Sequence, residues 1–273
     1  MDTPILNKVN IVKVGGAVVE DEQMLTALLQ KFAAIDGPKV LVHGGGRSAT
    51  KMAAQLGIET HMVEGRRVTD EDMLRVVQMV YGGLVNKTLV ARLQALGVNA
   101  IGLTGADMNI IRAHKRPLKK VRFEDGHEEM VDYGWVGDVD GVDGEALAAL
   151  IRRTPLVVPV VAPLTHDGEG HMLNTNADTI AAETAKALVP YFKVTLTYCF
   201  EKPGVLRDAD DDSSVIRDIS EASFAALKSE GVVSGGMLPK LENAFASLKG
   251  GVSEVVITHW SDLEHEQGSV IHL

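Results

Sequence analysis

The chain has 273 residues, a length that suits two domains of ordinary size or one large α/β unit, and either can bury a substantial core. Lys and Arg number 27 against 37 Asp and Glu, a net charge of −10, which excludes nucleic acid as the main partner because a phosphate backbone needs a net basic face. The single cysteine, Cys199, leaves no internal disulfide or Cys-rich zinc site and points to the cytoplasm; no export leader is expected, and the most apolar stretch, 155–164, carries three prolines and is too short to span a membrane.

A β-branched run over 9–14 ending in Gly15-Gly16 predicts a strand buried on both faces. Leu25, Leu28, Leu29 and Phe32 then recur at helical spacing, and Gly37-Pro38 stops that helix. A second strand over 39–42 leads into His43-Gly44-Gly45-Gly46 and a helix closed by Gly57, the alternation of a parallel sheet. From Thr69-Asp70 a long helix is expected, interrupted at Gly82-Gly83 and resumed over 84–96, followed by a strand over 99–103. The mixed-charge stretch 112–142 predicts hairpins projecting from the main sheet. A helix over 145–151, a strand over 156–161 and an alanine-rich helix from Asn174 to Leu188 restore the alternation, with a change of unit near Val189-Pro190. Strands over 193–200, 254–258 and 269–272 and helices over 220–229 and 238–248 complete the chain.

Five places in this pattern suit anionic ligands. Lysine is almost never buried unpaired, so Lys13 within a buried strand is out of place; with Gly15 and Gly16 it would make a phosphate cradle, or else it snorkels from an edge strand. His43-Gly-Gly-Gly-Arg-Ser-Ala49 imitates a dinucleotide fingerprint, with Glu64 about 20 residues on, but that fingerprint follows the opening strand of its unit and here the opening strand carries Lys13. Its glycines either offer N–H donors to a carboxylate or phosphate, or simply make a tight turn. In Gly65-Arg66-Arg67-Val68-Thr69 the adjacent arginines must point differently, so at most one is a carboxylate fork. Thr175 and Asp178 have capping-box spacing, while Asn174 and Asn176 exceed what a cap needs, leaving side chains for a substrate and Asp178 for a pair of lysines. Lys240, beside a first-turn Pro239, opposes the helix dipole. The acidic run Asp208, Asp210, Asp211 and Asp212 reads as a solvated turn, and no histidine spacing suits zinc, so no protein metal site is expected.

Taken in order, Lys13-x-Gly-Gly, His43-Gly-Gly-Gly, Gly65-Arg-Arg-Val-Thr, Asp132-Tyr-Gly-Trp-Val-Gly-Asp138, Asn174-x-Asn-Ala-Asp and Gly236-Met-Leu-Pro-Lys240 resemble the amino-acid kinase family, from about Val9 to the C-terminus. The resemblance implies an α/β fold, an αβα sandwich around a mainly parallel open sheet, with residues 1–188 as an acylglutamate-binding lobe and 189–273 as an ATP-binding lobe. It implies Lys13 and Lys240 as the lysines that stabilise the transition state and Asp178 as the acid that organises them. Gly45, Gly46, Arg67 and Asn174 match substrate-binding positions. Gly15, Gly16, Glu201, Lys202, Gly204, Val205, Leu206, Val232, Val233 and Ser234 match ATP-contacting segments, with Glu201 standing where the family commonly has Asp.

The activity implied is ATP-dependent phosphorylation of the side-chain carboxylate of N-acetyl-L-glutamate in arginine biosynthesis, with Mg²⁺ held mainly by the ATP phosphates and water. A glutamate carboxylate, with a pKa near 4.3, is already ionised and needs no general base, which suits the lack of an obvious catalytic histidine. No Walker A sequence is present. The alternatives are an N-succinylglutamate kinase, with Arg47 and Arg66 meeting a second carboxylate; a kinase of aspartate, carbamate or a nucleoside monophosphate; or a non-catalytic sensor of the same fold. Relatives inhibited by arginine carry an extra N-terminal helix that builds hexamers. With few residues before the first strand, a homodimer without that inhibition is expected.

Overall fold

The computed structural model describes residues 7–123 and 126–273. Its central sheet has eight strands: β1 (Lys8–Val14), β2 (Lys39–His43), β3 (Ala100–Leu103), β4 (Val158–Val161), β5 (Lys193–Phe200), β6 (Asp218–Ser220), β7 (Glu254–His259) and β8 (Ser269–His272). They lie in the order β6-β8-β7-β5-β1-β2-β4-β3, and every neighbouring pair is parallel except β7 and β8. The apolar runs of β1 and β2 are buried on both faces, as a sheet covered by helices on each side requires.

Strand pleat sorts the core into two layers. Val9 and Ile11 of β1, Val40 and Val42 of β2, and Leu196 and Tyr198 of β5 pack with helices Gly144–Ile151, Ala177–Leu188 and Met237–Lys249. On the opposite face, Val12, Val14 and Leu41 pack with helices Glu22–Ala34 and Gly46–Gln55 and with a long helix over 71–95. Lys13 has the parity of Val9 and Ile11 and so faces the first layer; His43 has the parity of Leu41 and faces the second.

The long helix corrects one expectation. It is not interrupted at Gly82-Gly83 but passes through as a π-helical segment, Gln78–Val85, because Val80, Tyr81 and Val85 are buried and their packing outweighs the glycines' poor helix propensity. Helix 177–188 likewise starts later than expected, since Met172–Asn174 forms a strand. That strand belongs to a second sheet with Leu164–His166, Ile111–Lys115 and Gly137–Val142, and Lys119–Arg122 pairs with Glu128–Val131 as a hairpin, so the mixed-charge stretch does project from the main sheet.

β5 pairs with β1 along its whole length, so the chain on either side of residue 188 shares one sheet. Where β1 ends, β2 lies on one side and β5 on the other. That reversal of strand order leaves a crevice beyond the carboxyl ends, the usual ligand position in open α/β sheets. Among the described residues, no helix is long and apolar enough to cross a membrane.

Candidate active site

The crevice is centred on Lys13, which is only 7% exposed. Its Nζ lies 2.6 Å from Asp178 Oδ1, an ion pair set off the hydrogen-bond axis, while Lys240 Nζ donates to Asp178 Oδ2 at 2.8 Å. Burial by itself would raise the Asp178 pKa, but the two ammonium groups outweigh it and hold the carboxyl down to about 2. Two cations around one anion leave a net positive charge at the junction. The acid is fixed from behind: Asn176 Oδ1 accepts from the backbone N–H groups of Asp178 (2.8 Å) and Thr179 (3.1 Å), and the Tyr198 hydroxyl donates to the Asp178 carbonyl at 3.3 Å. Lys240 is therefore a first-turn lysine whose charge is met by an acid from another helix.

On one side of this junction is a cleft of about 200 Å³, lined by Gly45, Gly46, Arg67, Tyr81, Asn174 and Ala177 among others. Arg67 is buried; its Nη2 donates to Gly46 O and Thr50 Oγ1, both at 2.8 Å, and its Nη1 to Thr60 Oγ1 at 3.2 Å. Among the described residues no carboxylate pairs with it. A buried cation without a counter-ion is costly, so the arrangement suits an anionic ligand. A short hairpin, Met62–Val63 with Arg66–Arg67, presents this side chain. Asn174 is held by its Nδ2 donating to Thr69 Oγ1 at 2.9 Å and by its backbone N–H donating to Trp135 O at 2.8 Å.

The glycine turns complete the cleft floor. Gly45 precedes helix Gly46–Gln55, and a Cβ there would stand 2.8 Å from Tyr81 Cδ1, so only glycine lets the turn lie against the π segment. No side chain caps this helix or the short one over Gly16–Glu20, which leaves first-turn N–H donors open. His43 anchors the turn from below: Nδ1–H donates to Gly44 O at 2.7 Å and Nε2 accepts from Asn86 Nδ2 at 3.1 Å. Burial pushes the His43 pKa down to about 4, so the ring is neutral.

On the other side is a recess of about 170 Å³ lined by Lys202, Gly204, Val205 and Leu206 of one loop and Val232 and Ser234 of another. Met237, three residues before Lys240, also lines it. Four of the sequence-selected residues lie elsewhere: Gly15 and Gly16 follow the end of β1, with the Gly15 N–H donating to Cys199 O at 3.0 Å, and two more lie away from the recess. Val233 is buried in the core, with its N–H donating to Leu227 O, and Glu201 turns toward Arg47, 3.4 Å from Nη2. Lys202 pairs with Asp212 at 2.9 Å.

The sequence profile of the Amino acid kinase family matches residues 8–259. The chain belongs to the amino acid kinase family. It is 62% identical over 264 residues to the acetylglutamate kinase of Bacteroides thetaiotaomicron, covering 97% of this chain and 98% of that protein. In fold it is similar to N-acetylglutamate synthase from Neisseria gonorrhoeae, with a TM-score of 0.77 at 23% identity over 97% of this chain and 59% of that one. Carbamate kinase from Giardia lamblia gives a TM-score of 0.66 at 14% identity over 97% and 98%.

For this amino acid kinase, the structure brings Lys13 of β1 and Lys240 of helix Met237–Lys249 onto Asp178 of helix Ala177–Leu188, the two helical residues being 62 apart in sequence. Sequence reasoning missed the cap of helix 177–188: it is Asn176, not Thr175, whose Oγ1 instead pairs with Thr165 Oγ1 at 2.8 Å. It also missed Tyr81, which at helical spacing reads as an ordinary core position; the signal available was the Gly82-Gly83 pair directly after it.

Proposed function

We propose that this amino acid kinase transfers the γ-phosphoryl group of ATP to the side-chain carboxylate of N-acetyl-L-glutamate, forming N-acetyl-L-glutamyl 5-phosphate in arginine biosynthesis. The Lys13–Asp178–Lys240 cluster carries the reading, because it lies between a cleft suited to an anion and a second recess one helical turn from Lys240. The 62% identity to an acetylglutamate kinase over nearly the whole chain supports the substrate.

In this reading Gly45, Gly46, Arg67 and Asn174 hold the acylglutamate. Its side-chain carboxylate is ionised at neutral pH, so no residue has to remove a proton. The difficulty is to bring two anions together, and Lys13 and Lys240, with the N–H donor of Gly16, stabilise the charge on the transferring phosphoryl group; the Gly15 N–H is already committed to the Cys199 carbonyl. Asp178 positions both lysines. The nucleotide takes the recess of Lys202, Gly204, Val205, Leu206, Val232 and Ser234, with Glu201 and Val233 flanking it, so residues 1–188 and 189–273 serve as acceptor and nucleotide lobes. Asp178 has both oxygens committed to lysines and offers no free ligand to a metal; Mg²⁺ would be held by the nucleotide's phosphates and water, offsetting phosphate charge.

A homodimer belongs to the same proposal. β3 is an edge strand, paired among the described residues only with β4, and carries exposed Ile101; the helix over 71–95 that packs on it exposes Met79 and Leu84, and a second copy can cover these apolar groups. The cytoplasm is proposed from the free, buried Cys199.

With ATP, Mg²⁺, N-acetylglutamate and hydroxylamine the purified protein should yield an ATP-dependent hydroxamate; none would overturn the reading. Lys13→Ala and Lys240→Ala should each lower kcat roughly 10²- to 10³-fold. Losses confined to KM would make them ground-state binding residues instead.

A further inference from the structure

The acyl cleft contains a second polar group besides Arg67 for which the proposed chemistry gives no role, the hydroxyl of Tyr81. The residue is 5% exposed and stands on the π segment Gln78–Val85, its ring pressed against the Gly45 turn. π segments inside α-helices are frequent at functional sites, and this one sets a buried aromatic ring on the cleft wall. A phenylalanine would fill nearly the same volume without the hydroxyl. A buried hydroxyl costs free energy unless it finds a partner.

Among the described residues, nothing accepts the phenolic proton. The neighbouring polar group is the Arg67 guanidinium, which can only donate. Burial raises the phenol's pKa and the Arg67 charge works against it, with burial prevailing, so the hydroxyl keeps its proton at neutral pH and remains a donor. Two donors, one of them charged, thus line one cleft with no acceptor from the protein for the phenol and no acid for the arginine. An anion with two oxygens completes both.

We propose that Tyr81 is a substrate-binding residue, its hydroxyl donating to the α-carboxylate of the acylglutamate that Arg67 also holds. This rests on the acylglutamate reading and adds to it a residue that selects for the α-carboxylate. The contact is tested by calorimetric titration of wild-type and Tyr81→Phe protein with N-acetylglutamate, with its α-carboxamide analogue and with a non-hydrolysable ATP analogue. Phenylalanine keeps the ring against Gly45, so the thermal midpoint should be unchanged. Loss of a hydrogen bond to a charged group should raise the Kd for N-acetylglutamate roughly tenfold or more. The Kd for the ATP analogue should not move, and the α-carboxamide should bind both proteins within about twofold of each other, because a neutral amide gains much less from the donor than a carboxylate. An unchanged Kd for N-acetylglutamate, equal weakening of the ATP analogue, or a tenfold difference kept on the carboxamide would each overturn the assignment. Failure of wild-type protein to bind N-acetylglutamate would instead remove the acylglutamate reading itself, and this proposal with it.

Discussion

His43 shows how a single buried side chain couples the glycine turn to solution pH. Folded, its ring is neutral down to about pH 4; unfolded, it takes up a proton as pH falls through about 6.5. Between those values the unfolded chain binds more protons, so stability falls as pH drops, by about 3 kcal/mol across the whole window. Asn in place of His43 keeps an N–H for the Gly44 carbonyl and does not titrate. Urea unfolding of wild-type and His43→Asn protein at pH 7 and pH 4.5 should therefore show a loss smaller by about 2 kcal/mol in the variant. Equal losses would mean that the ring is not held neutral in the native state. Two buried lysines make the complementary point about legibility. Lys13 stands at the carboxyl end of its strand before two glycines, where ligands of open α/β sheets collect, and its place in the crevice was readable from that position. Lys39 stands at the amino end of its strand, where its Nζ donates to the carbonyls of Ala33 and Ile35 at 2.7 and 2.6 Å, closing the preceding helix. Tyr81 was not readable, because an aromatic residue at helical spacing carries no mark of whether its hydroxyl meets protein or ligand.

At the scale of elements, the start of helix 177–188 decides where Asp178 sits. Asn176 caps it through two backbone N–H groups, and Asp178 is the second residue of the helix. Asn176→Ala should cost about 1 kcal/mol of stability. Fraying of that turn should also lower kcat severalfold with KM for N-acetylglutamate retained, because in the proposed mechanism Asp178, which pairs with Lys13 and Lys240, positions them without itself holding the substrate. Asn176→Asp, which still caps, should restore stability. A variant destabilised to this extent but with unchanged kcat would show that the lysines hold Asp178 in place without the cap. Three consecutive polar residues, Asn174, Thr175 and Asn176, can each cap a helix, so spacing could not choose among them. The choice is made by long-range partners: Thr69 takes Asn174 and Thr165 takes Thr175. β1 and β2 needed no such partners to be read, since their apolar runs and glycine ends specify them locally, whereas β6, only three residues long, was not read. The π segment lies between these cases, because its glycines mark a weak point whose outcome depends on burial.

At the scale of the whole molecule, the net charge of −10 describes the surface, while the crevice gathers Lys13, Arg67 and Lys240 where two anionic substrates are proposed to meet. The proposed lobes are divided in function but continuous in structure. One buried cluster runs from Val9 in β1 through Leu188 to Ile271 in β8, and removing either half would strip the other's face of β1 or β5. Independent folding of the halves would expose that shared core, so unfolding should be one cooperative event. The two tryptophans allow a direct check, since Trp135 lies before the boundary at residue 188 and Trp260 after it. Trp135→Phe and Trp260→Phe each leave one fluorescent reporter, and their urea midpoints should coincide. N-acetylglutamate at about 100 times its Kd should add about 2.7 kcal/mol to the stability seen by both reporters, although its proposed contacts all come from residues 1–188. If the ligand moved the Trp135 midpoint and left that of Trp260 in place, the halves would be separate folding units joined only by a shared sheet.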